Sequence, residues 1–367
     1  MNNKRIIAFY LPQYHETETN NTWYGKGFTE WTNVKKAKPL FKGHYQPKIP
    51  ADLGYYNLLD IDTREKQAQM AREAGIAGFC YYHYWFGKGR TELEKPFQEV
   101  VRLNKPDFPF CLCWANQSWY SKFWNNDIEC EQKLIVEQVY DDEEWREAHF
   151  NFLIEAFKDK RYIKVDGKLL FMIYRPLEYP DVKTFMQHWN TLAKEHGLAG
   201  FYFVGQANND NDAMAIKQLG FDGVNIVRKS EYLELFRYSN KIVKYWNKFQ
   251  RFIGKAPYHY DYNKIYHTFI KKEGLESNNG FYPTLLPNWD HSPRSGKRGD
   301  IFYNSTPQNF EKHLKETLKV ITNKRCKDNL VFLKSWNEWG EGNYVEPDKK
   351  YGKGYLDVLR KHLDSNK

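Results

Sequence analysis

Short, almost continuously apolar runs alternate along the chain with stretches of helical period. The strand candidates are Ile6–Leu11, Ala77–Trp85, Phe108–Trp114, Leu169–Tyr174, Phe201–Gln206, Gly223–Val227, Tyr282–Pro287 and Leu330–Trp336. Runs of this kind suit strands buried on both faces. Between them, Thr63–Ala74, Asp142–Phe157, Asp181–His196 and Pro307–Ile321 read as helices. Gly75 and Gly197 are plausible stops, and Ser305-Thr306 supplies a cap. Repeated strand–helix alternation argues for a parallel sheet. Eight repeats predict closure into one (β/α)8 barrel spanning residues 1–367. An open doubly wound sheet competes, but no GxGxxG follows the first strand.

Two long connections break the pattern, at about 12–62 and 229–280. Loops of this length inside a compact domain are usually functional or disordered. The first is rich in Trp, Tyr, Phe and Gly and predicts an ordered loop over the barrel mouth. The second carries Tyr245-Trp246 and Tyr258-His259-Tyr260 and predicts a helical lid.

Composition narrows the function. Aromatic residues make up 17% of the 367 positions, more than a core needs, which suits a cleft that stacks on the flat C–H faces of sugars. The competing reading is a large core with tyrosines at its rim. The net charge of +9 comes from scattered residues. It is compatible with attraction to an anionic membrane surface or a phosphorylated substrate. Nucleic acid is not an expected partner, because no nucleic-acid-binding motif is present. No apolar signal core precedes Ile6, no run is long enough to cross a membrane, and the five cysteines (Cys80, Cys111, Cys113, Cys130, Cys326) lack metal-site spacing. The expectation is a cytoplasmic protein with reduced cysteines, at most working at the inner membrane face.

In such barrels the chemistry sits at the C-terminal strand ends. Those ends carry Tyr10, Gln13 and His15; His83 and Trp85; Trp114 and Asn116; Arg175; Gln206; and Trp289. The last strand runs into Trp336-Asn337-Glu338-Trp339-Gly340-Glu341-Gly342. Two carboxyl groups around one scissile bond are what glycosidic chemistry needs. Tryptophans on either side can desolvate one glutamate and raise its pKa. Gly340 and Gly342 can turn the backbone so that both side chains face one cleft. Two exposed loop glutamates are the bland alternative. Glu338 and Glu341 are therefore the catalytic candidates. Tyr10, Gln13, His15, His83, Trp85, Trp114, Asn116, Arg175, Trp289 and Asn337 are the substrate-binding candidates. No cofactor and no metal is expected. Asp60 and Asp62 form a D-x-D pair of the kind that holds a metal in many nucleotide-sugar transferases, but they precede a helix and can simply cap it.

The chain resembles the WbsX-type family found with bacterial surface-polysaccharide genes. The motifs that carry the resemblance are Ala8-Phe9-Tyr10-Leu11-Pro12-Gln13-Tyr14-His15, Gly27-Phe28-Thr29-Glu30-Trp31, Gly43-His44-Tyr45-Gln46-Pro47, Gly78–Phe86, Val165-Asp166-Gly167-Lys168 and Trp336–Gly342 with Glu346-Pro347. They span nearly the whole chain. That family is in turn similar to the glycoside hydrolase family 99 endo-α-1,2-mannosidases and mannanases, chiefly through the last motif. The resemblance implies a retaining reaction on an α-mannoside-like bond. Glu338 would act as base on the sugar 2-hydroxyl, giving a 1,2-anhydro sugar, and Glu341 as acid and then base. It implies an oligosaccharide or lipid-linked glycan as partner. Relatives often carry Glu where Gln117 follows Trp114-Ala115-Asn116, a departure that bears on substrate binding or activity. Two rivals remain at this point: a nucleotide-sugar glycosyltransferase, and a non-catalytic glycan-binding barrel.

Overall fold

The computed structural model describes residues 3–121, 133–238, 241–253, 255–256, 258–322 and 328–363. Cys130 and Cys326 lie outside them.

Eight parallel strands form a closed barrel: β1 (Asn3–Tyr10), β2 (Gly78–Gly87), β3 (Phe110–Trp114), β4 (Lys168–Ile173), β5 (Phe201–Ala207), β6 (Gly223–Ile226), β7 (Phe281–Leu285) and β8 (Asp328–Leu333). Each pairs with its sequence neighbours. β1 pairs with β8 on one side (Ile6 opposite Val331) and β2 on the other (Phe9 opposite Cys80), which closes the ring. The predicted runs match these strands to within a few residues. The strands are legible because both of their faces are buried: Ile6, Ile7, Ala8, Phe9 and Tyr10 are all inaccessible to solvent, as are Leu330 to Leu333.

Helices Ile61–Glu73, Lys95–Leu103, Glu143–Lys158, Val182–Glu195, Asp210–Gln218, Pro307–Thr322 and Gly354–Leu363 surround the barrel. Local chemistry starts several of them. The Asp142 carboxylate accepts the Trp145 amide at 3.0 Å, and Thr306 Oγ1 accepts that of Asn309 at 3.2 Å. Asp60 accepts from the Asp62 amide at 3.2 Å and the Thr63 hydroxyl at 2.8 Å, so its carboxylate is engaged as a cap. Cys80, Cys111 and Cys113 are free and buried among the strands.

The first long connection is ordered, with helices Glu18–Tyr24 and Glu30–Lys36. The second contains helices Lys229–Tyr238 and Lys241–Phe252, then a short strand, His259–Asp261, that pairs with Ile301–Tyr303. Among the described residues no helix is long and apolar enough to cross a membrane.

Candidate active site

The loop after β8 is fastened before it presents any side chain. Asn337 is buried and holds β1: its Oδ1 accepts the Leu11 amide at 2.8 Å and its Nδ2 donates to the Leu11 carbonyl at 3.0 Å. Trp339 stacks on Tyr344 with centroids 3.7 Å apart, and its indole donates to Glu346 at 2.7 Å. Glu346 also accepts from Gln67 at 2.6 Å and Tyr56 at 2.9 Å. Burial pushes its carboxyl up to about 7. These contacts fix the backbone that carries the two glutamates.

Glu338 and Glu341 line one cleft of about 980 Å³ at the C-terminal ends of the strands. That volume suits a small ligand or a short glycan segment. Around them stand Gln13, Glu30, Tyr82, Tyr84, Gln117, Tyr174, Arg175, Gln206, Lys229, Trp289, His291, Arg294 and Lys334.

Arg294 is the hub. Its Nε and Nη2 grip both oxygens of Glu30, each at 2.8 Å, in a bidentate pair. Its Nη1 reaches Glu341 at 2.5 Å and Glu338 at 3.5 Å. The Glu30 carboxylate sits where a side chain at residue 340 would be: a Cβ there would fall 1.6 Å from Glu30 Oε1. Gly340 is thus required for close approach.

The two glutamates are electrostatically unequal. Desolvation, then repulsion from Glu341, raises Glu338 to about 7 against the pull of Lys334 and Arg294. Glu341 is also desolvated, but Arg294 and His291, the latter 3.5 Å away, hold it well below the usual carboxylate range. Glu338 Oε2 is buried and has no hydrogen-bond partner among the described residues. Lys334 Nζ lies 3.0 Å from the Tyr82 hydroxyl. Lys229 Nζ sits 3.5 Å from the Trp289 ring centroid.

Among the expected residues, the structure brings together Glu338, Glu341, Gln13, Arg175 and Trp289. The others lie elsewhere. Tyr10 faces the helix layer and donates to Gln67 at 2.6 Å. His15 hydrogen-bonds its own turn through the Pro12 carbonyl at 3.0 Å. His83 packs on His149, Nε2 to Nε2 at 2.8 Å, and burial lowers it to about 3. Trp85 stacks on the same His149, with centroids 4.9 Å apart. Trp114 is wholly buried and donates to the Trp85 carbonyl at 3.0 Å. Asn116 ties Tyr140 to Arg175.

For Tyr10, His83, Trp85 and Trp114 the cause is strand parity, since successive side chains point to opposite faces. On β2 it is Tyr82 and Tyr84 that face the cleft, while His83 and Trp85 face the helices. Glu30, Lys229, Arg294 and Lys334 were not anticipated, while Tyr174 and His291 stand at the ends of strand-like runs but were not among the binding candidates. For Glu30 a signal existed, a glutamate set between aromatics in Gly27-Phe28-Thr29-Glu30-Trp31. No group of three or more His, Cys, Asp or Glu suited to a metal occurs among the described residues.

A family model described as glycosyltransferase WbsX matches residues 6–359. The uncharacterized protein WxcX of Xanthomonas campestris pv. campestris is 31% identical over 374 aligned residues, covering 98% of this chain. The alignment covers 49% of that relative, so the chain spans about half its length. Among solved structures, a glycoside hydrolase-like protein aligns with a TM-score of 0.61 at 14% identity, covering 99% of this chain and 95% of that one. The GH99 endo-alpha-mannosidase from Bacteroides thetaiotaomicron aligns with a TM-score of 0.56 at 13% identity, covering 99% and 97%. At such identities the two structures speak for the barrel fold alone.

Proposed function

The chain belongs to the glycosyltransferase WbsX family, and from that premise we propose that it is a carbohydrate-active enzyme of surface-polysaccharide metabolism. It cleaves or transfers an α-mannoside-like bond with retention, using Glu338 and Glu341. The observation that carries this reading is the shared guanidinium. Both carboxylates reach Arg294 Nη1, so their nearest oxygens are no more than about 6 Å apart, close enough for the pair to act on one glycosidic bond.

Glu338 acts as the base. A carboxylate with its pKa raised to about 7 is a better base toward a hydroxyl than an ordinary one, and is still ionised slightly above neutrality. Its carboxyl lines the cleft and takes the proton of a sugar 2-hydroxyl. The freed oxygen attacks the anomeric carbon from the opposite face, giving a 1,2-anhydro sugar. With a glycoside donor Glu341 has to be protonated first so that it can give a proton to the leaving oxygen; it then takes one from the water or sugar hydroxyl that opens the ring. The Tyr82, Tyr84 and Trp289 rings and the Gln13 and Arg175 side chains hold the glycan in place. The glycan is an oligosaccharide or a lipid-linked chain.

One feature favours a sugar-phosphate donor over a glycoside. Arg294 keeps Glu341 ionised in the empty site, and an ionised carboxylate has no proton to give. A sugar phosphate, as in a nucleotide sugar or a lipid-phosphate-linked glycan, leaves without one. The test is turnover of aryl α-mannosides and manno-oligosaccharides beside a panel of nucleotide sugars, for wild type, Glu338→Gln and Glu341→Gln. Loss of turnover in Glu338→Gln with every substrate supports the base assignment. Wild-type turnover of nucleotide sugars with none of the aryl α-mannosides or manno-oligosaccharides selects the transferase reading. Full activity in both variants refutes the pair.

A further inference from the structure

The helix Lys241–Phe252 belongs to the excursion that leaves the C-terminal end of β6, the strand end from which Lys229 enters the catalytic cleft. It packs against its predecessor, Lys229–Tyr238. Its surface is unlike the rest of the protein. Tyr245 is 71% exposed, Trp246 56%, Phe249 50% and Ile253 45%. Most other large apolar side chains are buried, so four exposed in one short stretch call for an explanation. The helical bond from the Ile253 amide to the Phe249 carbonyl (3.0 Å) carries the spiral through Ile253. Trp246, Phe249 and Ile253 then follow one another at steps of three and four and share a face. Lys241 and Lys248 are exposed and seven residues apart, so they share a second face, and Lys255 is exposed just past the helix. Residues 241–255 hold Lys241, Lys244, Lys248, Arg251 and Lys255, and no acidic residue.

We propose that this helix is an interfacial anchor for an anionic lipid surface, lying in the headgroup layer with Trp246, Phe249 and Ile253 inserted and the lysines against lipid phosphates. Exposed aromatics beside a basic stripe fit the water–hydrocarbon boundary. The unbroken positive charge complements anionic headgroups and decides against a second copy of the same helix, which would meet it with like charge. The helix is too short and too basic to span a bilayer. Because it rises from the catalytic face, the bound surface lies beside the cleft, where a glycan carried on lipid would be presented. The anchor does not depend on the chemistry of Glu338 and Glu341, and its assay reads binding rather than turnover.

The experiment is vesicle co-sedimentation of the full chain, using phosphatidylcholine alone and phosphatidylcholine doped with phosphatidylglycerol, at low and high salt. Wild type should bind the phosphatidylglycerol vesicles and release as salt rises. Lys241→Ala with Lys248→Ala should weaken binding by about 30-fold, and Trp246→Ser with Phe249→Ser should abolish it. These positions are exposed, so the variants should keep the wild-type melting temperature. Binding that is equal for both vesicle types, absent altogether, or unchanged in either variant would overturn the proposal. So would sedimentation equilibrium showing a dimer that Trp246→Ser dissolves.

Discussion

Replacing Glu338 by Gln should make the protein more stable at alkaline pH. In the folded chain the carboxyl is buried, faces Glu341 and Glu30, and is only partly offset by Lys334 and Arg294, so its pKa rises from 4.5 to about 7. The folded state therefore holds this proton more tightly than the unfolded chain does. Between those two pH values the unfolded chain has already lost it, so wild-type stability falls as pH rises through that window. The whole loss, once both states are ionised, is about 3 kcal/mol. Glutamine keeps the shape and carries no charge. The stability difference between variant and wild type should thus be near zero below the unfolded pKa, grow through the window and level off above about 7. Glu346 also titrates near 7, but it is present in both proteins and cancels in the difference. Urea unfolding at a series of pH values, read by far-UV circular dichroism, measures this directly. A variant no more stable than wild type at alkaline pH, or a difference independent of pH, would refute the electrostatic account of the site.

Other consequences follow from the same contacts. Activity that uses Glu338 as base should rise with pH and level off above about 7, seen as a tenfold fall in kcat/KM per pH unit on the acid side; a profile that instead falls through that pH would make Glu338 the acid. Arg294→Met leaves Glu30 and Glu341 buried without their cation and should cost about 3–5 kcal/mol, read as a lowered Tm. Gly340→Ala should force Glu30 off Arg294 and cut turnover, while Glu30→Gln in the same background restores none of it. Tyr10→Phe should cost about 1–2 kcal/mol by stranding Gln67, yet leave KM unchanged, since Tyr10 lies outside the cleft.

The barrel was legible because a strand buried on both faces is written as an apolar run. The same property hid half of the site. Without alternation there is no parity to read, so His83 and Trp85 looked as good as Tyr82 and Tyr84, although only the latter face the cleft. The glutamates were legible because both are carried on one short loop. Arg294 was not, because its pairing with Glu30 joins positions 264 residues apart, and no local pattern encodes such a meeting. The lowered pKa of Glu341 is equally invisible from its neighbours in sequence. The tryptophans at 336 and 339 suggest desolvation of one glutamate without saying which, and the arrival of Arg294 and His291 at Glu341 sets the two apart.

The central claim is that Glu338 and Glu341 carry out a retaining reaction at a sugar anomeric centre. Proton NMR of the first-formed product, from α-manno-oligosaccharides or an α-linked mannosyl phosphate donor, tests it most directly. The account predicts an α-configured product from wild type and none from Glu338→Gln. A β-configured product, or undiminished turnover in that variant, would contradict it.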